Sequence, residues 1–326
     1  MKVCLWNVEN LFILSDTGLT ADHLKLDETQ WQKLSVSLHP NKSLKKTFAI
    51  ANILKELDAD LVMLCEVGGQ ESLKNFNEHF LRDQNYATAL IEGNSDRHID
   101  VGFLIKKSLP CYFDLSTNKN RLIQFLYSHE RHLGMEFSRK FSRDVAELKL
   151  FTKDRENPFL LVLLTHLKSH LDPEGIDFSG RERREAELKA LVDIHLELLK
   201  KFPKTPQMVC GDFNGFAGRP NTDKEFLDLH LRTQLVDVLD IAQVPLDKRF
   251  SHLQFRTNQK TDGKQIDFSF LTPDLSPLLK ANSGKMYRFR DEYGFEQDLP
   301  QTLDAKFLLP SDHYPLIFEL EKIQVW

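Results

Sequence analysis

The chain of 326 residues is 41% hydrophobic and 28% charged, with a formal net charge of −5. That balance fits a globular protein with a sizeable core and argues against a strongly basic nucleic-acid coat, while leaving room for a local basic groove. The longest apolar run, FLLVLL at 159–164, is far short of a membrane span, and the N-terminal MKVCLWNVENLF is broken by Asn7, Glu9 and Asn10, unlike a signal peptide.

In chain order, apolar strand-like runs fall at 2–6, 60–65, 86–91, 100–105, 121–126, 145–151, 159–165, 207–210, 265–271 and 314–320. Several are almost continuously apolar, as in strands covered on both faces. Between them, SLKKTFAIANILKEL (43–57) has helical periodicity, with Leu44, Phe48, Ala51, Ile53, Leu54 and Leu57 on one side. RERREAELKALVDIHLELLKKF (181–202) is a longer helix with a stripe through Leu188, Leu191, Ile194 and Leu198. Shorter helices are predicted at 71–81 and 224–231. No repeat, low-complexity tract or linker divides the chain, so one α/β domain over 1–326 is expected, with loop insertions near 14–42 and 281–310. Cys4, Cys65, Cys111 and Cys210 are widely spaced with no CxxC. Reduced thiols in a cytoplasmic protein fit that spacing better than a disulfide framework or a zinc site.

Polar residues gather where the apolar runs end. The segments are LWNVEN (5–10), LVMLCE (61–66), LVLLTHLKSH (161–170), MVCGDFN (208–214), QIDFSFL (265–271) and PSDHYPL (310–316). Rigid sheets commonly present chemistry from such ends. Asn7 and Glu9 alternate, so both are expected on one face of the first strand; they would serve equally as turn formers. Glu66 reads either as a solvated strand-end acid or as a ligand for Mg²⁺, which takes one or two protein carboxylates. His166 and Lys168 alternate at the end of another buried strand, as a phosphate contact or as ordinary structural residues. In VCGDFNGFAGRP (209–220), alternation places Asp212 and Asn214 on one face and turns Phe213 into packing. Asp312 and His313, being adjacent, are expected to point to opposite sides, Asp312 to a metal and His313 to phosphate. Asp267 would orient the imidazole. Arg97 and Arg143, at strand starts, would clamp phosphate in pairs of hydrogen bonds or stand as solvated charges.

WNVEN, Glu66, THLKSH, GDFN, IDF and SDHYPL, in this order from residue 5 to 316, resemble the endonuclease/exonuclease/phosphatase (DNase I-like) superfamily, in a bacterial-type form. GDFN and SDH are the specific pieces. The resemblance implies a four-layer α/β sandwich, two packed, mainly antiparallel sheets flanked by helices, with the site at one edge. It implies Glu66 as principal Mg²⁺ ligand (Mn²⁺ being the alternative ion), Glu9 as a second metal acid, and Asp312 completing the metal environment. Asn7 supports that shell and the phosphate. Asp212 positions or deprotonates water, and Asn214 orients the phosphate or the Asp. His313, oriented by Asp267, contacts the scissile phosphate. His166 is a phosphate-binding or acid residue, and Lys168, Arg97 and Arg143 are substrate contacts. The implied activity is a Mg²⁺-dependent phosphoester hydrolase, foremost a phosphodiesterase or nuclease working by in-line attack of water. Its substrate would be a phosphate ester, nucleic acid or nucleotide, with no obligate protein partner evident. A phosphomonoesterase or lipid-headgroup enzyme is the alternative, and a catalytically silent phosphate-binding module the remote one.

Overall fold

The apolar runs assemble into two six-stranded sheets, seen in a computed structural model that describes residues 1–133, 138–172, 175–255, 261–321 and 323. The first sheet runs Lys285–Met286, Leu316–Glu319, Lys2–Leu11, Leu61–Val67, Asp100–Lys106 and Tyr86–Leu90. The second runs Val236–Asp237, Asp267–Leu271, Gln207–Asp212, Leu160–His166, Val145–Phe151 and Tyr112–Thr117.

Each sheet has one parallel pair at its centre, with antiparallel neighbours on both sides. A parallel pair cannot close through a hairpin and needs a crossover. The helices Leu44–Leu57 and Arg181–Lys201 lie on those two crossovers. The first is capped as its sequence suggests, with Ser43 Oγ accepting from the Lys46 N–H.

Alternation along the strands explains the layers. Leu61, Met63 and Cys65 join Phe103, Leu148 and Val162 in a core between the sheets. Val62 and Leu64 point the other way, onto Ile50, Leu54, Leu73 and Phe76 of the helices Leu44–Leu57 and Gly69–Phe80. On the second sheet Leu161, Leu163, Val209 and Phe270 meet Leu188, Leu191 and Ile194. Helix, sheet, sheet, helix is therefore the order of layers. Phe213 is fully buried, with ring centroids 6.0, 5.7 and 5.4 Å from those of Phe226, Phe268 and Phe270.

Four expectations change. Only Ile123–Gln124 of 121–126 forms a strand, because Ile123 is buried while Leu122 stays 60% exposed. The exposed edge strand Tyr112–Thr117 lacked an apolar signature, so its sequence did not announce it. The helix Leu44–Leu57 buries Thr47 and Ile50 rather than Phe48 and Ile53, and Phe48 packs on Phe80 at 5.0 Å. The two polar segments are also anchored by aromatics. Trp31 is fully buried within 14–42, and Tyr287 and Phe289 of 281–310 enter the outer helical layer.

Candidate active site

The carboxyl ends of the two central parallel pairs meet at one edge of the sandwich. The strand Gln207–Asp212 ends beside Leu160–His166 and pairs with Asp267–Leu271, so Asp212 lies opposite both His166 and Asp267. Asn7, on the other sheet, reaches across to donate from Nδ2 to Asp212 Oδ2 at 3.0 Å. The Asn214 N–H folds back to Asp212 Oδ1 at 2.8 Å, and Asn214 itself is left-handed at φ +52°. The strand thus ends at Asp212, and Asn214 serves by its backbone while its side chain donates to Leu167 O at 3.0 Å. Its predicted position on the same strand face is corrected accordingly. Burial, then the neighbouring Asp267 charge, pushes the Asp212 carboxyl up to about 7.

Glu66, next to last in its strand, is left-handed at φ +65°, with Oε2 accepting the Asn10 N–H at 3.1 Å and Oε1 lying 3.9 Å from His166 Nε2. His166 Nε2 is also 3.5 Å from Asp212 Oδ2, and its Nδ1 is buried with no hydrogen-bond partner among the described residues. Burial, followed by the Arg143 and His313 charges, holds this imidazole well below its ordinary range. The shift favours the neutral ring, whose Nε2 is turned toward the Glu66 and Asp212 carboxylates.

His313 is the opposite case. Its Nδ1 lies 2.7 Å from Asp267 Oδ2, and both residues are buried. Burial alone would lower its pKa, but the charge and hydrogen bond of Asp267, then Asp312 and Asp212, raise it to about 10. Position is fixed from three sides. Trp6 Nε1 donates to His313 O at 2.8 Å, Ser311 Oγ accepts the His313 N–H at 3.1 Å, and Ser311 Oγ donates to Asn7 O at 2.7 Å.

That turn corrects the expectation that Asp312 and His313 diverge: Asp312 Oδ1 lies 3.9 Å from His313 Nε2. Asp312 Oδ2 is held by Lys306 Nζ at 3.3 Å and His252 Nε2 at 3.4 Å. Burial would raise this carboxyl, yet the His252 hydrogen bond and the two imidazole charges hold it well below the usual range.

Glu9 is not brought to the site's centre. Glu9 and Asn10 are both left-handed, at φ +50° and +53°, so the strand irregularity swings Glu9 away from Asn7. Its carboxylate bonds Lys46 at 3.2 Å and Lys42 at 3.3 Å. Such backbone strain costs roughly 1–3 kcal/mol per residue and persists only when neighbours impose it. Lys168 is likewise absent from the cluster, its ammonium donating to Leu171 O at 2.5 Å. Arg97 donates to Asn10 Oδ1 at 2.7 Å and lies 3.9 Å from Glu66 Oε2. Arg143 is buried, donates to Leu167 O at 3.0 Å, and has an Nε without a partner among the described residues.

Sequence reasoning missed Lys42, Ser251, His252 and Lys306. Ser251 Oγ accepts the Asp267 N–H at 3.0 Å and so helps to seat the partner of His313. None sits in a motif, and only the fold brings them near. For a metal, Glu66 offers the fitting group: a hard oxygen, partly exposed, with Oε1 turned toward His166. Asp212, Asp267 and His313 also present ligand atoms within 4.8 Å of one another.

No protein-family model matches the sequence, and no curated protein matches it. Solved structures do. The human Nocturnin catalytic domain with bound sulfate aligns over 98% of this chain and 93% of that one at 17% identity and a TM-score of 0.57. D. rerio TDP2 complexed with a single-strand DNA product aligns over 98% and 97% at 14% identity and 0.55. The mannosyl-6-phosphatase of Bacteroides thetaiotaomicron VPI-5482 aligns over 98% and 99% at 17% and 0.53. With its four layers, two mainly antiparallel sheets and near-complete overlap with these structures, the chain has the DNase I-like fold.

Proposed function

We propose that the protein is a Mg²⁺-dependent phosphodiesterase acting on nucleic acid or a nucleotide. The observation that carries this reading is the pairing, at one edge, of an oriented base with an oriented cation. Asp212, held by Asn7 and the Asn214 N–H, stands beside His313, held by Asp267.

Asp212 takes the proton of the attacking water, its raised pKa making it a competent base near neutrality. His313, cationic over the same range, donates from Nε2 to a phosphoryl oxygen as negative charge builds there. Buried Arg143 adds fixed positive potential near Glu66 and Asp212. A divalent cation held by Glu66 would supply Lewis-acid stabilisation of the phosphoryl and leaving oxygens. The likeness to TDP2 in complex with a DNA product favours the diester, and the likeness to mannosyl-6-phosphatase makes monoesters the competing class. Free cysteines, three of them buried, suit a reducing, cytoplasmic compartment.

The test is hydrolysis of single- and double-stranded DNA, RNA, a simple aryl diester and monoesters, with Mg²⁺ or Mn²⁺ and an EDTA control. Metal-dependent diester cleavage, abolished by EDTA and restored by Mg²⁺, is the expected result. Cleavage of monoesters alone would replace the diester reading, and metal binding without any hydrolysis would mark a silent module. Glu66→Gln should lower turnover by about 10²-fold or more, the scale of losing one preorganised charge stabiliser. Added Mg²⁺ should restore little of it.

A further inference from the structure

A buried lysine outside every motif holds the turn whose N–H groups bond Asn7 and Glu66. Lys42 is 7% exposed. Its Nζ donates to the Glu9 carbonyl at 2.6 Å and to Glu9 Oε2 at 3.3 Å. The lysine is itself fixed: its N–H donates to Phe12 O at 2.9 Å, and its carbonyl accepts from Nε1 of the fully buried Trp31 at 2.9 Å.

From the clamped residue two chains of hydrogen bonds lead outward. The Glu9 N–H donates to Asn7 Oδ1 at 3.0 Å, which fixes the amide so that Asn7 Nδ2 faces Asp212 Oδ2 at 3.0 Å. One residue on, the Asn10 N–H donates to Glu66 Oε2 at 3.1 Å. Both N–H groups point inward only because Glu9 and Asn10 are left-handed, a conformation a glutamate does not hold unaided.

We infer that Lys42 is a positioning residue that locks the Glu9–Asn10 turn and thereby sets the Asp212 and Glu66 carboxylates for the reaction. The inference rests on the phosphoester-hydrolase reading only for its kinetic consequences. The Lys42 side chain is only 4% exposed, and its ammonium is engaged by the Glu9 carbonyl and carboxylate. Glu9 in this arrangement is the lysine's handle, through its carbonyl and its carboxylate together.

The test compares Lys42→Met, which keeps length and apolar stem, with Lys42→Arg and Glu9→Gln in the full chain. Lys42→Met is expected to lower kcat by about 10–100-fold, the usual effect of removing an outer support of a ligating carboxylate. KM should change little. Lys42→Arg should recover part of that loss, and Glu9→Gln, which keeps the carbonyl acceptor, should cost less than Lys42→Met. Two readouts do not need turnover. Amide exchange should quicken locally at Glu9 and Asn10, and Mn²⁺ titrated into the protein should bind more weakly in Lys42→Met. Wild-type kcat in Lys42→Met, unchanged exchange at those two amides, or exchange quickened evenly across the strands would each overturn the inference. An inactive wild type with the local exchange and Mn²⁺ effects intact would sink the hydrolase reading and leave the clamp standing.

Discussion

Asp212→Asn is expected to lower kcat by about 10²–10⁴-fold, the range for a lost general base, with the fold retained. Asparagine has the same shape, so the Phe213 packing one residue on is undisturbed. It cannot take a proton, however, and its NH₂ must face one of the donors now bound to the carboxylate, Asn7 Nδ2 at 3.0 Å or the Asn214 N–H at 2.8 Å. The pH dependence separates this role from a structural one. Folding raises the Asp212 pKa to about 7, against an ordinary carboxylate near 4. Wild-type kcat should therefore rise with pH and level above about 7, a limb that a bound cation shifts lower, and Asp212→Asn should lack it. The same shift has a sign for stability. Between the ordinary carboxylate range and about 7 the native state binds the extra proton, so this group's contribution weakens as pH rises through that window. Asp212→Asn should lack this pH dependence of melting, while its lost acceptor lowers the melting temperature by a similar amount at every pH. A variant with wild-type turnover, or one inactive only because it is unfolded, would refute the assignment; kcat profiles and thermal melts together decide it.

The sequence was most legible where burial and chemistry both leave a period. Continuously apolar runs such as 159–165 announced doubly covered strands, and three of them end at or beside residues of the candidate site, Glu66, His166 and Asp212. His313 and Asp267 were legible as a pair because an imidazole beside phosphate needs a carboxylate behind it, and the 2.7 Å contact bears that geometry out. Legibility failed where backbone conformation departs from strand period. Alternation placed Glu9 beside Asn7, but two successive left-handed residues turn it to the lysines. The same cause moved Asn214 off the strand face. Lys42 was invisible for another reason: a lysine in a polar segment reads as solvated, and only Trp31, buried eleven residues earlier, shows that this segment is part of the interior. Ser251, His252 at the start of the short strand His252–Gln254, and Lys306 on the helix Leu303–Phe307 approach Asp267 and Asp312 in a way no local pattern encodes.

His313→Ala should cost a similar factor in kcat, about 10²–10⁴-fold, but Asp267→Asn is the more discriminating change because it leaves the imidazole in place. Wild-type His313 is protonated up to about 10, although burial opposes it, because Asp267 contributes the largest opposing effects through charge and hydrogen bond. A cationic donor is what a phosphoryl oxygen needs as charge accumulates on it. Activity should then fall on the alkaline side only as pH approaches about 10. Replacing Asp267 by Asn removes the main support of the charged ring, so the alkaline limb should move down toward the ordinary histidine range near 6.5. Asp267 also raises the Asp212 pKa, second only to burial, so the acid limb should move down in the same variant. Both limbs shifting in one direction is the signature of a shared carboxylate between base and cation. If Asp267 merely braced the ring, Asp267→Asn would lower kcat at every pH and leave both limbs where they stood. The stability sign is the same as that of Asp212, in a higher window: a raised histidine pKa contributes fully below about 6.5 and is lost as pH rises through about 10. Asp267→Asn should flatten that alkaline loss in a melting series, tying the kinetic limb to the same protonated ring.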